Sequence, residues 1–324
     1  MFSYRALFRQ AWEISWRHKY LWFFGLFASL AAGSGSWEYQ IMTQNMNQGL
    51  IDGAYVHLSK ILTLGVVVKN FFLGLTGLFS YDIWTICSVF AVLIVSGVIF
   101  AFFVWLAVAS QAALIGDTKK LLEDRKKEPA LSIRSGLTDG NRHFWRVLGL
   151  DFLIRVAVGG VLFLGSLPLL FLAMKDSSVL AVIFSVLFVI FIPVALSLSL
   201  LVKYAIAYAV LEGKSVASSL EHGSRLFAKN WLISVEAAII LFLINFLASG
   251  VLVIAFSLFL LPLVILGLIL QIAWIMWLMV IIGIVIIVFF GALMTAFQTA
   301  AWTNLFLRLK REGGLAKLER LFRR

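Results

Sequence analysis

The sequence predicts an all-α, polytopic integral membrane protein with six transmembrane helices arranged as three hairpins. The 324-residue chain is 62% hydrophobic and 13% charged, whereas soluble domains average about 45–50% apolar and about 25% charged residues. Its apolar residues form runs near or above the length of about 20 residues that crosses a bilayer. Of its 27 lysines and arginines, 23 fall in four segments that alternate with pairs of these runs: residues 1–19, 114–147, 203–231 and 308–324.

The distribution of positive charge predicts the topology. Because lysine and arginine concentrate on the cytoplasmic side of membrane proteins, the four basic segments and both chain termini are expected in the cytoplasm. In a soluble protein the net charge of +11 would suggest a nucleic-acid partner. Here the charges flank apolar runs, so we expect anionic lipid headgroups as partners and no nucleic acid. The chain is thus predicted to be a multi-pass protein of a prokaryotic cell membrane.

The first predicted element is an amphipathic segment, residues 4–19. It places Leu7, Ala11 and Trp12 on one helical face and arginines on the other, which is typical of a helix that lies in the membrane interface. The apolar run 20–35 that follows is taken as the first span. A cleaved signal peptide is the alternative, because small residues follow this run.

Residues 61–79 are apolar but contain Lys69 and Asn70. A span here would move the N-terminus to the side opposite the basic segment 114–147, against the expected charge distribution. We therefore predict an interfacial or re-entrant helix on the outer side, and a further span is the alternative.

The remaining spans are clearer, and they complete a single transmembrane domain over residues 1–308. Pro193 is expected to kink the fourth span, and Pro262 is expected to separate the fifth from the sixth in a tight turn. Residues 309–324 are predicted to form a basic, amphipathic cytoplasmic tail. The second to sixth spans are predicted at residues 83–113, 148–172, 179–202, 231–261 and 264–290.

An internal repeat is visible where basic segments enter the apolar runs. Residues 6–21 align without gaps on 130–145, and Ser132, Gly136 and Trp145 correspond to Ser219, Gly223 and Trp231. We predict three copies of a surface helix followed by a hairpin, related by an axis along the membrane normal; convergence on a common entry pattern is the alternative. The second, fourth and sixth spans also end alike, in Ala109-xxx-Ala113, Ala205-xxx-Ala209 and Ala296-xxx-Ala300, and small residues four apart let membrane helices approach closely.

Two segments carry a resemblance to a known family. They are YAIAYAVLEGK, which begins at Tyr204 and continues to SRLFAKNW at 224–231, and RHKYLWFFGLF at 17–27. This pattern resembles the multi-span membrane module found beside some glycerophosphodiester phosphodiesterases, and the stand-alone bacterial relatives of that module. The resemblance covers most of the chain and implies a helical integral membrane protein. It does not imply phosphodiesterase activity, because that chemistry belongs to a separate soluble domain.

The sequence shows no catalytic, cofactor-binding or metal-binding pattern, and we expect no cofactor and no enzymatic activity. The four histidines are not spaced as metal ligands. Ionisable residues inside spans are costly, and four of them, Asp151, Arg155, Lys203 and Glu236, are predicted near the cytoplasmic leaflet. They either pin helices together at the interface or line a polar cavity for a lipid headgroup or an ion.

Basic residues outside the spans are candidate contacts for anionic lipid. We expect a membrane-organising, lipid-interacting or partner-scaffolding protein; the alternative is a transporter or flippase-like carrier that uses the intramembrane polar cluster. The candidate lipid contacts are Lys119, Lys120, Arg125, Lys126, Lys127, Lys317, Arg320, Arg323 and Arg324.

Overall fold

The computed structural model describes residues 4–31, 82–123, 131–173, 178–269 and 273–312, together with six positions between 63 and 73. Every element named in these residues is a helix. The helices are α1 (Tyr4–Arg17), α2 (Tyr20–Ala31), α3 (Ile83–Glu123), α4 (Ile133–Arg142), α5 (Phe144–Ala173), α6 (Ser178–Leu211), α7 (Val216–Lys229), α8 (Trp231–Ile269) and α9 (Ala273–Glu312).

Among the described residues, four helices are long and apolar enough to cross a membrane. They are α3, the part of α6 from Pro193 to Leu211, and most of α8 and α9. With 41 residues, α3 is about 60 Å long at 1.5 Å per residue, twice the thickness of the hydrocarbon core. Only 6% of its most apolar window is buried, so this part of α3 presents its side chains outward.

The described part of the first predicted span is helical. Helix α2 comprises 12 described residues, about 18 Å, compared with about 30 Å of hydrocarbon. The end of the predicted run 20–35 lies outside the described residues. So does most of 61–79, although the six described positions there are helical; the placement of that segment stays a prediction.

The predicted turn at Pro262 is wrong, because α8 continues through this proline to Ile269. A proline inside a helix removes one backbone hydrogen bond, whereas a turn in an apolar environment would leave several backbone groups without partners. Pro193 likewise lies inside α6. The predicted boundary of the tail also shifts, since α9 runs to Glu312; residues 313–324 lie outside the described residues.

The chain divides into two compact units. The first comprises residues 1–32, 107–147 and 203–324, and the second comprises 33–106 and 148–202. In the first unit α9 packs against α1, α2 and α8. The second unit contains the first part of α3, most of α5 and the first part of α6. Three long helices therefore contribute residues to both units.

Within the first unit, two surface helices pack on the alanine motifs that end the helices before them. Gly140 of α4 meets Ala109 of α3, where a Cβ on the glycine would lie 2.2 Å from the alanine carbonyl oxygen. Gly223 of α7 meets Ala205 of α6, where a Cβ would lie 2.9 Å from the alanine nitrogen. Glycine is required at both positions because any side chain would collide with the backbone of the neighbouring helix.

The glycine–alanine contacts of α4 and α7 align the two copies of the repeat one helical turn away from the alignment predicted from the sequence. The sequence alignment pairs Gly223 with Gly136, but the buried residues of α4 are Gly136 and Gly140, and those of α7 are Ser219 and Gly223. Gly223 therefore corresponds to Gly140. Hydropathy cannot distinguish the two registers, because residues four apart share a helix face.

The first helix packs against the last. Leu7 and Ala11 of α1 lie in one core cluster with Ala300 and Ala301 of α9. The Asn304 side-chain nitrogen donates to the Leu7 carbonyl oxygen over 3.3 Å. Each of α4 and α7 packs on the long helix before it, and α1 packs on the helix that ends the described chain.

Candidate functional site

A half-open cleft of about 280 Å³ lies in the first unit between α3, the junction of α4 and α5, and the end of α6. Its floor is made of small or apolar residues and its rim carries charged and polar side chains. The floor residues are Ala112, Ala113, Gly116, Val210 and Leu211, and the rim residues are Lys119, Lys120, Glu123, Asp139, Arg142 and His143.

The local sequence of α4 positions one side of this rim. Ser132 caps the start of α4, since its side chain accepts from the Ser135 backbone N–H over 3.2 Å and the Ser135 hydroxyl oxygen accepts from the Ser132 N–H. This capping box fixes where the helix begins. At the other end His143 breaks the helix before α5, and its Nδ1 donates to the Asp139 carbonyl oxygen over 3.1 Å. Arg142 and His143 are thereby held at the helix junction.

One rim cation, Lys120, is paired with two carboxylates. The Lys120 ammonium donates to Asp139 Oδ2 over 2.7 Å and to Asp117 Oδ1 over 3.3 Å. The Asp117 side chain is 1% exposed, and its Oδ2 has no hydrogen-bond partner among the described residues. That oxygen lies against Gly136, where a Cβ would be 2.8 Å from it. Lys120 therefore links α3 to α4, and its charge is already balanced by carboxylates.

Of the other charged rim residues in the described part of the chain, Glu123 forms an ion pair, and Lys119 and Arg142 do not. Glu123 accepts from the Arg311 guanidinium of α9 over 2.9 Å. Within the described residues, neither Lys119 nor Arg142 has an acidic partner. The cleft thus combines an apolar floor with two cations whose charge no described carboxylate neutralises.

The four predicted intramembrane polar residues all have partners. In the second unit, the Arg155 guanidinium lies 2.8 Å from Asp151 Oδ2, as the four-residue spacing predicts. In the first unit, the Lys203 ammonium lies 4.7 Å from the centre of the Trp302 ring, and Glu236 accepts a hydrogen bond from the Tyr4 hydroxyl. Whether the four line one cavity stays a prediction.

Of the predicted lipid contacts, Lys119 and Lys120 line the cleft. Sequence reasoning missed four further rim residues, Glu123, Asp139, Arg142 and His143. The available signal was the density of charge in 114–147, which did not reveal which of its cations lack a carboxylate partner. The other predicted contacts lie outside the described residues: Arg125, Lys126, Lys127, Lys317, Arg320, Arg323 and Arg324.

Long apolar helices that carry a charged cleft near their ends define a helical membrane protein. Comparisons of the chain with protein-family models, with curated proteins and with solved structures find no match. The resemblance to the membrane module of glycerophosphodiester phosphodiesterases therefore stays a prediction.

Proposed function

We propose that this protein is a non-enzymatic membrane protein that binds anionic phospholipid headgroups of the cytoplasmic leaflet in the cleft between α3 and α4. The observation that carries the proposal is the pair of cations, Lys119 and Arg142, at the rim of a cleft with an apolar floor. Such binding is a means of organising or sensing the surrounding membrane.

The charge pattern favours an anion over a cation. The carboxylates Asp139 and Glu123 are already paired with the cations Lys120 and Arg311. A cationic ligand would have to break these pairs, whereas an anion adds partners to side chains that lack them. Arginine is suited to phosphate because its guanidinium donates two parallel hydrogen bonds.

The depth of the cleft favours a lipid over a soluble anion. Trp145 follows Arg142 by three residues and is 79% exposed, and Trp231 at the start of α8 is 56% exposed. Exposed tryptophans at the ends of apolar helices are typical of the headgroup region of a bilayer. A site beside Trp145 is therefore expected at the depth of lipid phosphates.

A titration with a soluble lipid tests the proposal. Protein purified in a neutral detergent is titrated with short-chain phosphatidylglycerol, and binding is read by native mass spectrometry. We expect one bound lipid per chain, and about tenfold weaker binding for Lys119→Gln and for Arg142→Gln, since each removes a charge-assisted hydrogen bond. Arg134→Gln is the control, because Arg134 is exposed on the same helix as Arg142 but does not line the cleft.

Equal affinity in the wild type and both cleft variants would contradict the proposal. The same titration with inorganic phosphate distinguishes the two sources of phosphate. Tighter binding of the free ion than of the lipid would assign the cleft to a soluble anion.

The second candidate function is a carrier, and the ion pair within α5 favours it. Asp151 and Arg155 lie inside a predicted span, where ionisable groups are costly and commonly serve a substrate or ion pathway. Reconstituted vesicles test this function through lipid scrambling or ion flux. Transport that is lost in Asp151→Asn supports a carrier, and the absence of transport in the wild type contradicts it.

A further inference from the structure

We infer that Gly116 is the specificity-determining residue of the cleft, and that it leaves room for the glycerol of a bound glycerophospholipid. The inference rests on the proposed function and names its ligand more closely. With this space beside Gly116, the cleft binds a phosphodiester that carries a glycerol backbone more tightly than it binds inorganic phosphate.

Three glycines lie at the cleft or in the helix contact beside it, and two of them are explained by packing. A Cβ on Gly140 would lie 2.2 Å from the Ala109 carbonyl oxygen, and a Cβ on Gly136 would lie 2.6 Å from the Phe24 ring. A Cβ on Gly116 would meet no atom within 4 Å. Among these residues the protein itself provides no steric reason for glycine at position 116.

Glycine at position 116 is also unfavourable for helix formation. Inside a helix glycine is less favourable than alanine, and Gly116 lies well within α3. A glycine in a helix that lines a concave site permits close approach of a ligand to the backbone. Gly97 also faces open space on α3, but it lies among exposed apolar residues, where glycine is common in membrane helices.

The second copy of the repeat carries larger side chains at the positions that match Ala112 and Gly116 of the cleft. When Ala109 is matched with Ala205, Ala112 of the cleft floor corresponds to Tyr208 of α6. The Tyr208 ring packs edge-on against Phe306, with the ring centres 4.9 Å apart. The matching position thus holds an aromatic ring in α6 and a small alanine in α3, and Gly116 of α3 corresponds to Glu212.

The size and lining of the cleft limit the ligand class. A volume of about 280 Å³ lies just below the usual range of about 300–1,000 Å³ for small-molecule sites, so it suits a headgroup and glycerol but not two acyl chains. The phosphate is expected at Lys119 and Arg142 on the rim, and the glycerol against Gly116 on the floor. The acyl chains then leave the cleft toward the membrane.

The test compares two substitutions on one helix, Gly116→Leu and the control Gly97→Leu. Short-chain phosphatidylglycerol is titrated into each variant, and thermal unfolding is measured alongside. We expect Gly116→Leu to weaken lipid binding by at least about tenfold with unchanged thermal stability, and Gly97→Leu to bind as the wild type does. In the wild type, we expect the lipid to bind more tightly than inorganic phosphate.

Three results would overturn the inference. The first is wild-type affinity in Gly116→Leu while Arg142→Gln loses binding, which would leave the proposed function standing. The second is wild-type affinity in both variants, which would remove the proposed function as well. The third is unfolding of Gly116→Leu, which would show that position 116 is a packing site.

Discussion

A cleft is open beside α3 and α4, whereas the region between α6 and α7 is filled by the packed ring of Tyr208. Both regions use a glycine of the surface helix against the first alanine of a motif. In the second region Tyr208 packs against His222, with ring centres 5.6 Å apart, and the Lys214 ammonium lies 4.7 Å from the Tyr208 ring centre. The backbone contact is therefore common to both regions, and the side chains around it decide whether a cavity remains.

The two regions also differ in how their cations are paired with carboxylates. Glu212 beside the filled region pairs with Lys214 over 3.2 Å and with Lys310 over 2.7 Å, so each of these cations has a carboxylate partner. Beside the cleft, Lys119 and Arg142 have none in the described part of the chain. A filled region with balanced charge is suited to structure, and an open region with unbalanced charge is suited to binding.

The largest expected effect comes from emptying the filled region. Tyr208→Ala removes a ring that is 7% exposed, and loss of a buried aromatic side chain costs about 3 kcal/mol of unfolding free energy. Denaturation in detergent measures this cost. Tyr208→Phe keeps the ring and serves as the control, with a change below about 0.5 kcal/mol. Equal stability of Tyr208→Ala and the wild type would show that this ring does not support the contact.

The next effect compares the two glycine contacts directly. Gly140→Ala places a methyl group 2.2 Å from a carbonyl oxygen, and Gly223→Ala places one 2.9 Å from a nitrogen. We expect Gly140→Ala to lower the free energy of unfolding by about 2 kcal/mol and Gly223→Ala to lower it by about 1 kcal/mol. Thermal unfolding ranks the two variants. The reverse order would mean that the α6–α7 contact is the tighter one.

The smallest effect concerns Glu212, which lies just beyond α6. Burial raises the pKa of its carboxyl, but the hydrogen bonds from Lys310 and Lys214 outweigh burial and leave the pKa below the ordinary glutamate value. A lowered pKa in the folded state contributes stability above the ordinary value, and this stability is lost as the pH falls through the lowered pKa. We expect Glu212→Gln to reduce stability near neutral pH by less than about 1 kcal/mol.

The pH dependence distinguishes this pair from an ordinary surface pair. On acidification, Glu212→Gln should lose less stability than the wild type, because the variant lacks the titrating carboxyl. Thermal unfolding at several pH values measures this difference. Glu221→Gln is the control, since its pair with Arg225 has side chains 57% and 74% exposed and such pairs contribute little. Identical acid sensitivity of Glu212→Gln and the wild type would contradict the assignment.

Much of the helical pattern followed from the sequence. Apolar runs and basic segments indicated the long helices, and the alanine motifs indicated where they pack closely, because small residues are a local signal. The end of α8 was misplaced, since a proline carries less weight in an apolar helix than in water. The register of Gly223 was one turn off, because its alternatives share one helix face.

The site was harder to predict than the helices. Lys119 and Lys120 are neighbours in sequence with the same charge, yet among the described residues only Lys120 meets carboxylates. That difference depends on Asp139 of another helix. The packing of α1 on α9 also joins residues that are far apart in sequence, since Asn304 and Leu7 are separated by 297 positions. Pairings of this kind depend on the folded arrangement and leave no periodicity in the sequence.

The packing of α1 on α9 has a consequence for the order of segments along the chain. In space α1 follows α9 much as α4 follows α3, so the position of α1 at the start of the polypeptide is not imposed by its contacts. A circularly permuted chain, in which residues 1–19 are joined after Arg324, should keep the hydrogen bond between Asn304 and the Leu7 carbonyl. Such a permutant would begin with an apolar segment, and α1 would then follow the long helix on which it packs, as α4 and α7 already do.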